Sequence, residues 1–195
     1  STDKSLVNTV THHIHEEEFH MRTIKKVASH IFIDGFGGMT QGLFATLIIG
    51  TMIQQIGLLI GGSTGNVIYL LGKAAAALTS AGIGVGVAVK YGESPLATVS
   101  AAVAAMVGGY AGKITGGTFF VDGNAVLAGP GEPLGAFIAA FAGITCGHLV
   151  SGKTKVDIIV TPVITIGAGS VVGLLVGPPV SYTHLRAHET SAHLV

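Results

Sequence analysis

Between residues 36 and 60 the chain reads F-G-G-M-T-Q-G-L-F-A-T-L-I-I-G-T-M-I-Q-Q-I-G-L-L-I, a stretch without a formal charge. An α-helix needs only about 20 apolar residues to cross a bilayer, so this stretch predicts a membrane span. The whole chain agrees, because 49% of its 195 residues are hydrophobic and only 10% are charged, whereas a soluble domain is about 25% charged. The sequence therefore predicts an all-α integral membrane protein.

The distribution of glycine divides the chain. All 30 glycines fall between Gly35 and Gly177, so both ends differ in composition from the middle. We expect residues 1–33 to form a polar cytosolic leader at the membrane surface and residues 34–180 to form the transmembrane domain. Residues 181–190 read S-Y-T-H-L-R-A-H-E-T, the translation of a string that matches a transposon-type sequencing adapter. We interpret residues 181–195 as a non-native tail and the membrane domain as partial.

Five apolar stretches predict a polytopic helical bundle of about five transmembrane helices. They cover residues 35–60, 67–89, 95–110, 133–150 and 158–179. Small residues recur four positions apart along them, as in Gly57 and Gly61, Gly82 and Gly86, Gly108 and Gly112, Gly143 and Gly147, and Gly169 and Gly173. This spacing lets helix backbones approach closely. We therefore expect a tightly packed bundle.

Residues 127–133 interrupt the apolar pattern with L-A-G-P-G-E-P. Two prolines and two glycines cannot continue a helix, and a backbone break at membrane depth is tolerated only where protein buries it or a wet cavity faces it. The Glu132 carboxylate can accept two hydroxyl hydrogen bonds, and glycines let a ligand approach the backbone. We interpret Gly129, Pro130, Gly131 and Glu132 as a solute-binding re-entrant loop. The alternative is an ordinary external turn with a solvated glutamate.

Other polar residues extend this candidate site. Gln54 and Gln55 lie within the first span, where an amide facing lipid is unfavourable, so at least one should point into the protein. It would serve either as a link between helices or as a partner for sugar hydroxyls. Asn66 ends the short turn at residues 61–66. We expect Gln54, Gln55 and Asn66 to face one cavity together with Glu132.

The charged and metal-ligating residues point to neither nucleic acid nor metal. Ten basic and ten acidic residues balance, so nothing indicates a nucleic-acid partner. The leader contains metal-ligand residue types without an H-E-x-x-H pattern, and we expect a solvated helix face there. These residues are His12, His13, His15, His20, Glu16, Glu17 and Glu18.

The basic residues predict the orientation in the membrane. Four lie in the leader, Lys90 follows the second span, and Lys153 and Lys155 follow the fourth, whereas the other side carries only Lys113. Because basic loops stay in the cytoplasm, we expect a cytoplasmic N-terminus. The loop at residues 127–133 then lies nominally outside, unless it folds back into the bilayer.

Three segments carry a family resemblance. They are G-G-M-T-Q-G-L-F-A-T-L-I-I-G-T-M-I-Q-Q-I-G at residues 37–57, A-G-P-G-E-P-L-G-A-F-I at 128–138 and S-G-K-T-K-V-D-I-I-V-T-P at 151–162. Together they resemble EIIC, the membrane permease subunit of the bacterial phosphoenolpyruvate-dependent sugar phosphotransferase system, in its divergent type 2 group. The resemblance implies an inner-membrane homodimer that binds a sugar between helices for phosphorylation by a separate EIIB, itself supplied by EIIA. It also implies that Glu132 contacts sugar hydroxyls, and it implies no cofactor.

The chain departs from a complete phosphotransferase in its phosphorylation chemistry. Cys146 lies in an apolar run and not in a phosphate-binding loop, and the leader histidines do not belong to a folded EIIA domain. We therefore expect no catalytic residue in this chain. Two alternatives remain: a membrane regulatory or scaffold protein that keeps the architecture without transport, and a transporter of a non-sugar solute.

Overall fold

The computed structural model describes residues 29–153 and 156–192, and the side chains of residues 30–32 and 179–192 are left out of the description. Residues 1–28 of the leader, which include its histidine-rich stretch, lie outside the described residues. The expectation of a solvated face there therefore stays a prediction. Among the described residues, no cluster of His, Cys, Asp and Glu could hold a metal ion.

The first span is one long helical rod. It begins with a π-helical turn, His30–Gly35, and continues as α1 (Phe36–Leu43), a second π-helical turn (Phe44–Ile48) and α2 (Ile49–Ile60). The segment Ile33–Ile60 has 28 residues and a mean hydropathy of 1.9. At 1.5 Å per residue it is about 42 Å long, so it exceeds the ~30 Å hydrocarbon layer.

The second predicted span is two helices and not one. Gly61, at φ 65°, reverses the chain, α3 covers Gly62–Ala77, and α4 covers Thr79–Lys90. The two helices are bent by 52° at Leu78. The predicted turn at residues 61–66 is also wrong, because the helix begins at Gly62 and Asn66 lies in its first turns.

Pairs of glycines join the first span to α3 and α4 in an antiparallel ladder. The facing pairs are Gly38 and Gly86, Gly42 and Gly82, Gly50 and Gly72, and Gly57 and Gly65. A Cβ added at Gly42 would lie 2.3 Å from the Gly82 carbonyl oxygen. The backbones therefore touch along both halves of the bent pair, as the small-residue spacing predicts.

The rest of the chain forms a helical bundle with a small hairpin. It contains α5 (Pro95–Gly109), α6 (Ala111–Thr115), the antiparallel strands β1 (Phe120–Val121) and β2 (Asn124–Ala125), α7 (Pro133–Val150) and α8 (Asp157–Ala192). Helices α4, α5 and α7 share a buried core, and α8 packs on α5 and α7. The core consists of five alanines and four larger apolar residues. The alanines are Ala88, Ala101, Ala105, Ala136 and Ala140, and the larger residues are Ile83, Val87, Phe137 and Ile144.

The structure confirms the predicted all-α membrane fold. Among the described residues, Ile33–Ile60, Pro133–Val150 and Asp157–Pro178 are long and apolar enough to cross a bilayer, and the bent pair α3–α4 makes a fourth span if counted as one. The remaining predicted span, α5, is apolar but has only 15 residues, about 22 Å of helix. It is therefore too short to cross the bilayer alone.

Candidate solute-binding loop

Residues 128–132, which we call the docked loop, are held against the protein by their backbone carbonyls. Three successive carbonyls each accept a hydrogen bond from a different side chain. Lys113 Nζ donates to Ala128, Tyr110 Oη donates to Gly129, and Ser80 Oγ donates to Pro130 at 2.9 Å. The loop is therefore anchored to three places in the fold, unlike a freely solvated turn.

The docked loop also makes a close backbone contact with the end of α5. The Glu132 amide donates to the Gly109 carbonyl at 2.7 Å. Gly131 has φ 76°, and a Cβ there would lie 2.4 Å from Ser80 Oγ and 3.0 Å from the Gly109 oxygen. Both the backbone conformation and the available space therefore require glycine at this position.

Glu132 caps the N-terminus of α7. Its Oε1 accepts from the Leu134 amide at 3.4 Å, and Pro133 occupies the first helical position. A carboxylate is favoured there, because the first amides of a helix point at it and the helix dipole is positive at that end. Proline suits this position, because it has no amide to leave unpaired. Among the described residues, no donor other than the Leu134 amide hydrogen-bonds to this carboxylate.

The docked loop lies at the break between α3 and α4. Thr79 Oγ1 donates to the Ala76 carbonyl at 2.6 Å, and Tyr110 Oη lies 3.2 Å from the Ala77 carbonyl oxygen. The Tyr110 contact gives the Ala77 carbonyl at the break a partner from outside the helix, as is needed where a helix breaks at membrane depth. Broken helices of this type surround the substrate sites of many transporters.

Aromatic side chains extend from Tyr110 toward the hairpin. The Tyr110 and Phe119 rings are 5.3 Å apart, and the Phe119 and Phe120 rings are 4.9 Å apart and nearly perpendicular. Lys113 Nζ lies 5.3 Å from the centre of the Tyr110 ring, within the range of a cation–π contact. The same tyrosine and lysine that hold the docked loop are thus packed against each other.

The other predicted site residues lie elsewhere. Gln54 is partly buried, its Nε2 lies 3.4 Å from the Gly50 oxygen, and its side chain packs over Gly72 of α3. Gln55 and Asn66 are exposed. Helices α2 and α3 pack mainly on each other, whereas Glu132 lies between α5 and α7. The structure therefore groups Glu132 with Gly129, Pro130 and Gly131 and does not bring Gln54, Gln55 and Asn66 to the docked loop.

This placement predicts different effects for the two glutamines. Gln54 Nε2 contacts the Gly50 oxygen of its own helix, so we expect Gln54→Leu to lower the free energy of unfolding by about 1 kcal/mol or less, the net value of one hydrogen bond. We expect Gln55→Leu to be neutral or stabilising, because an exposed amide in lipid is unfavourable. Melting temperature and sugar affinity of both variants check this. If either variant lost sugar affinity at an unchanged melting temperature, that glutamine would belong to the binding site.

The opposite end of the bundle carries charged residues and a contact between His148 and Glu93. His148 Nδ1 lies 3.0 Å from Glu93 Oε1, which joins the end of α7 to the turn before α5. Lys90 ends α4 at the same end, and Lys153 lies in the turn that follows α7. Lys90 and Lys153 therefore lie at the end of the bundle away from the docked loop, whereas Lys113 lies at the loop itself.

The comparison with protein families decides the identity of the chain. A model described as phosphotransferase system, EIIC, matches residues 33–186, most of the 195 residues. The chain belongs to the EIIC family of the phosphotransferase system. This EIIC protein is therefore a membrane component of the permease class, for which a sugar substrate and EIIB partners are general to the family. No curated protein and no solved structure matches the chain.

Sequence reasoning missed the anchors of the loop in this EIIC protein. Ser80 and Tyr110 are both buried, and each is a hydroxyl residue in a predicted span, Ser80 in the middle of the second and Tyr110 at the end of the third. The hydroxyl group was the only signal available. It does not reveal a distant partner, because a hydroxyl in a helix usually bonds to the backbone of its own helix. In the sequence, Lys113 indicates only the orientation of the chain in the membrane. Its contact with Ala128 joins residues 15 positions apart, which no local pattern reveals.

Proposed function

We propose that this EIIC protein binds a sugar at the docked loop and presents it for phosphorylation by a separate EIIB protein. The observation that carries the proposal is the position of Glu132. Its backbone amide is used in anchoring the loop, while its carboxylate stands at the N-terminus of α7 with a single weak partner. A carboxylate held in this way can accept two neighbouring sugar hydroxyls.

The depth of the docked loop supports this proposal. Beyond the helix break, α2 and α3 continue as a hairpin that exposes apolar side chains in the last turn of α2, with Leu59 87% exposed. An apolar hairpin of this kind belongs in lipid, which favours a docked loop within the bilayer over one on the outer surface. We propose that the loop is re-entrant.

We propose the orientation and assembly as follows. The end of the bundle that carries Lys90 and Lys153 faces the cytoplasm, which places the N-terminus inside the cell at the inner membrane. EIIB would approach from that side, with EIIA as its phosphate source. The protein would act as a homodimer, as the family resemblance suggests.

One observation favours a second function. Gln54, Gln55 and Asn66 are separated from Glu132, so the polar residues of the membrane domain lie on separate surfaces. Scattered polar residues combined with glycine packing fit a regulatory or scaffold protein that keeps the EIIC architecture without transport. A binding test with sugars distinguishes this alternative from a permease.

The test is a thermal-shift screen of the purified protein in detergent against sugars, polyols and small carboxylates. A ligand that binds only the folded state stabilises it by about 2.7 kcal/mol at 100 times its Kd, so a specific sugar should raise the melting temperature. Phosphate transfer to that sugar should then occur only when phosphorylated EIIB is added. Stabilisation by a small carboxylate alone would indicate a non-sugar transporter, and no response would favour the regulatory function.

A further inference from the structure

The Tyr110 hydroxyl stands between two carbonyl oxygens from distant parts of the chain. One is Ala77, the last residue of α3 before the helix break, at 3.2 Å. The other is Gly129 of the docked loop. A phenol has one proton to donate, so the two carbonyls share it. Tyr110 is therefore a direct link between the break and the loop.

Ser80 provides a second link between the same two features. It lies in the first turn of α4, directly after the break, and donates to Pro130 at 2.9 Å. It is completely buried, and a Cβ at either Gly109 or Gly131 would collide with its hydroxyl. The loop is thus tied by Tyr110 to the end of α3 and by Ser80 to the start of α4.

We propose that Tyr110 is a positioning residue of the sugar site, which locks the docked loop to the helix break so that Glu132 keeps one position relative to α3 and α4. The lock itself follows from the contacts of Tyr110 and Ser80. Its consequence for sugar affinity rests on the proposed function. A loop held before the ligand arrives loses less conformational freedom on binding, so the lock should tighten sugar binding without touching the sugar.

Removing the hydroxyl should release the lock. In Tyr110→Phe, the Ala77 and Gly129 carbonyls both lose the phenol hydroxyl as a hydrogen-bond donor. The ring can keep its contact with Phe119. The loop would then keep its contacts with Ser80, Lys113 and the Gly109 carbonyl but lose its tie to α3. We expect the loop to take up more than one position relative to α3, with no loss of folding.

Spin labels measure this directly. We would place them at Leu71→Cys on α3 and Leu127→Cys beside the docked loop, both on exposed side chains, after replacing Cys146 by alanine. Electron–electron distance measurements on the protein without any sugar should give one narrow distribution, and Tyr110→Phe should give a broad or double one. Tyr69→Phe is the matched control, because it removes the same atom from a tyrosine of α3 and should leave the distribution narrow.

Each outcome decides the proposal. A broad distribution before mutation, or an unchanged one in Tyr110→Phe, overturns the lock. If Tyr110→Phe does not fold, Ser80→Ala takes its place, with labels at Val85→Cys on α4 and Leu127→Cys. It removes the tie of the loop to α4 and should broaden that distribution, and an unchanged one overturns the lock. For a sugar found to bind, Tyr110→Phe should raise the Kd about tenfold, while the melting temperature without sugar falls by only a few degrees, as expected for one lost hydrogen bond. Unchanged affinity in a broadened variant overturns the positioning role. If no sugar binds, the proposed function fails and the distances alone decide the lock.

Discussion

We expect Glu132→Gln to weaken the proposed sugar binding strongly and to leave the helical fold in place. Hydrogen bonds to a charged group contribute about 1.5–3 kcal/mol each, and two of them from sugar hydroxyls would be weakened together. We expect the Kd to rise by about 100-fold or more, since each 1.4 kcal/mol is a factor of ten. Folding should persist, because glutamine keeps an oxygen that can accept from the Leu134 amide, which lies 3.4 Å from the glutamate in the wild type.

The measurement is the sugar-dependent shift in melting temperature of the wild type and the variant. Asp122→Asn is the matched control, since it removes a carboxylate from the same connection at an exposed position between β1 and β2. Asp122 has φ 51°, a conformation that asparagine also tolerates. If sugar raised the melting temperature of Glu132→Gln as much as that of the wild type, Glu132 would not be part of the binding site. An equal loss in Asp122→Asn would show a general effect of charge.

Gly42→Ala disrupts packing between the first span and α4. A Cβ at Gly42 would lie 2.3 Å from the Gly82 carbonyl oxygen and 2.6 Å from the Ile83 amide nitrogen. These are backbone atoms in a helix, so no side chain can rotate away and the helices must separate. Overpacking of this kind lowers the free energy of unfolding by about 3 kcal/mol. We expect a fall in melting temperature of about 6–12 °C.

Gly37→Ala tests whether this loss comes from packing or from glycine chemistry. Gly37 lies on the same helix, but a Cβ there would meet only Lys90 Cε, at 3.8 Å. Alanine favours a helix by about 1 kcal/mol over glycine, so stability should hold or rise. Thermal unfolding in detergent with circular dichroism compares the two variants. Equal losses at Gly37 and Gly42 would contradict the glycine ladder.

The sequence predicted best where local chemistry is sufficient. Pro133 after Glu132 predicts the start of α7, because proline fits the first helical position and a carboxylate caps it. The helix begins at Pro133 as expected. The sequence failed at Leu78, where no proline or charge marks a break. At the break, Thr79 contacts the Ala76 carbonyl locally, whereas Tyr110 reaches the Ala77 carbonyl from 33 residues away.

The amino-acid sequence by itself determined that this chain is a bundle of membrane helices. The lipid bilayer requires long apolar segments whose backbone groups pair within the segment, and such segments can be recognised in the sequence. The sequence also determined that residues 127–133 interrupt those helices, because proline and glycine act locally. Only the tertiary structure decided which residues surround that interruption. Ser80 and Tyr110 reach the docked loop across 50 and 19 residues of chain, whereas Gln54 meets Gly72 instead. Polarity predicts that a side chain in a membrane needs a partner, but the packing of the helices selects the partner.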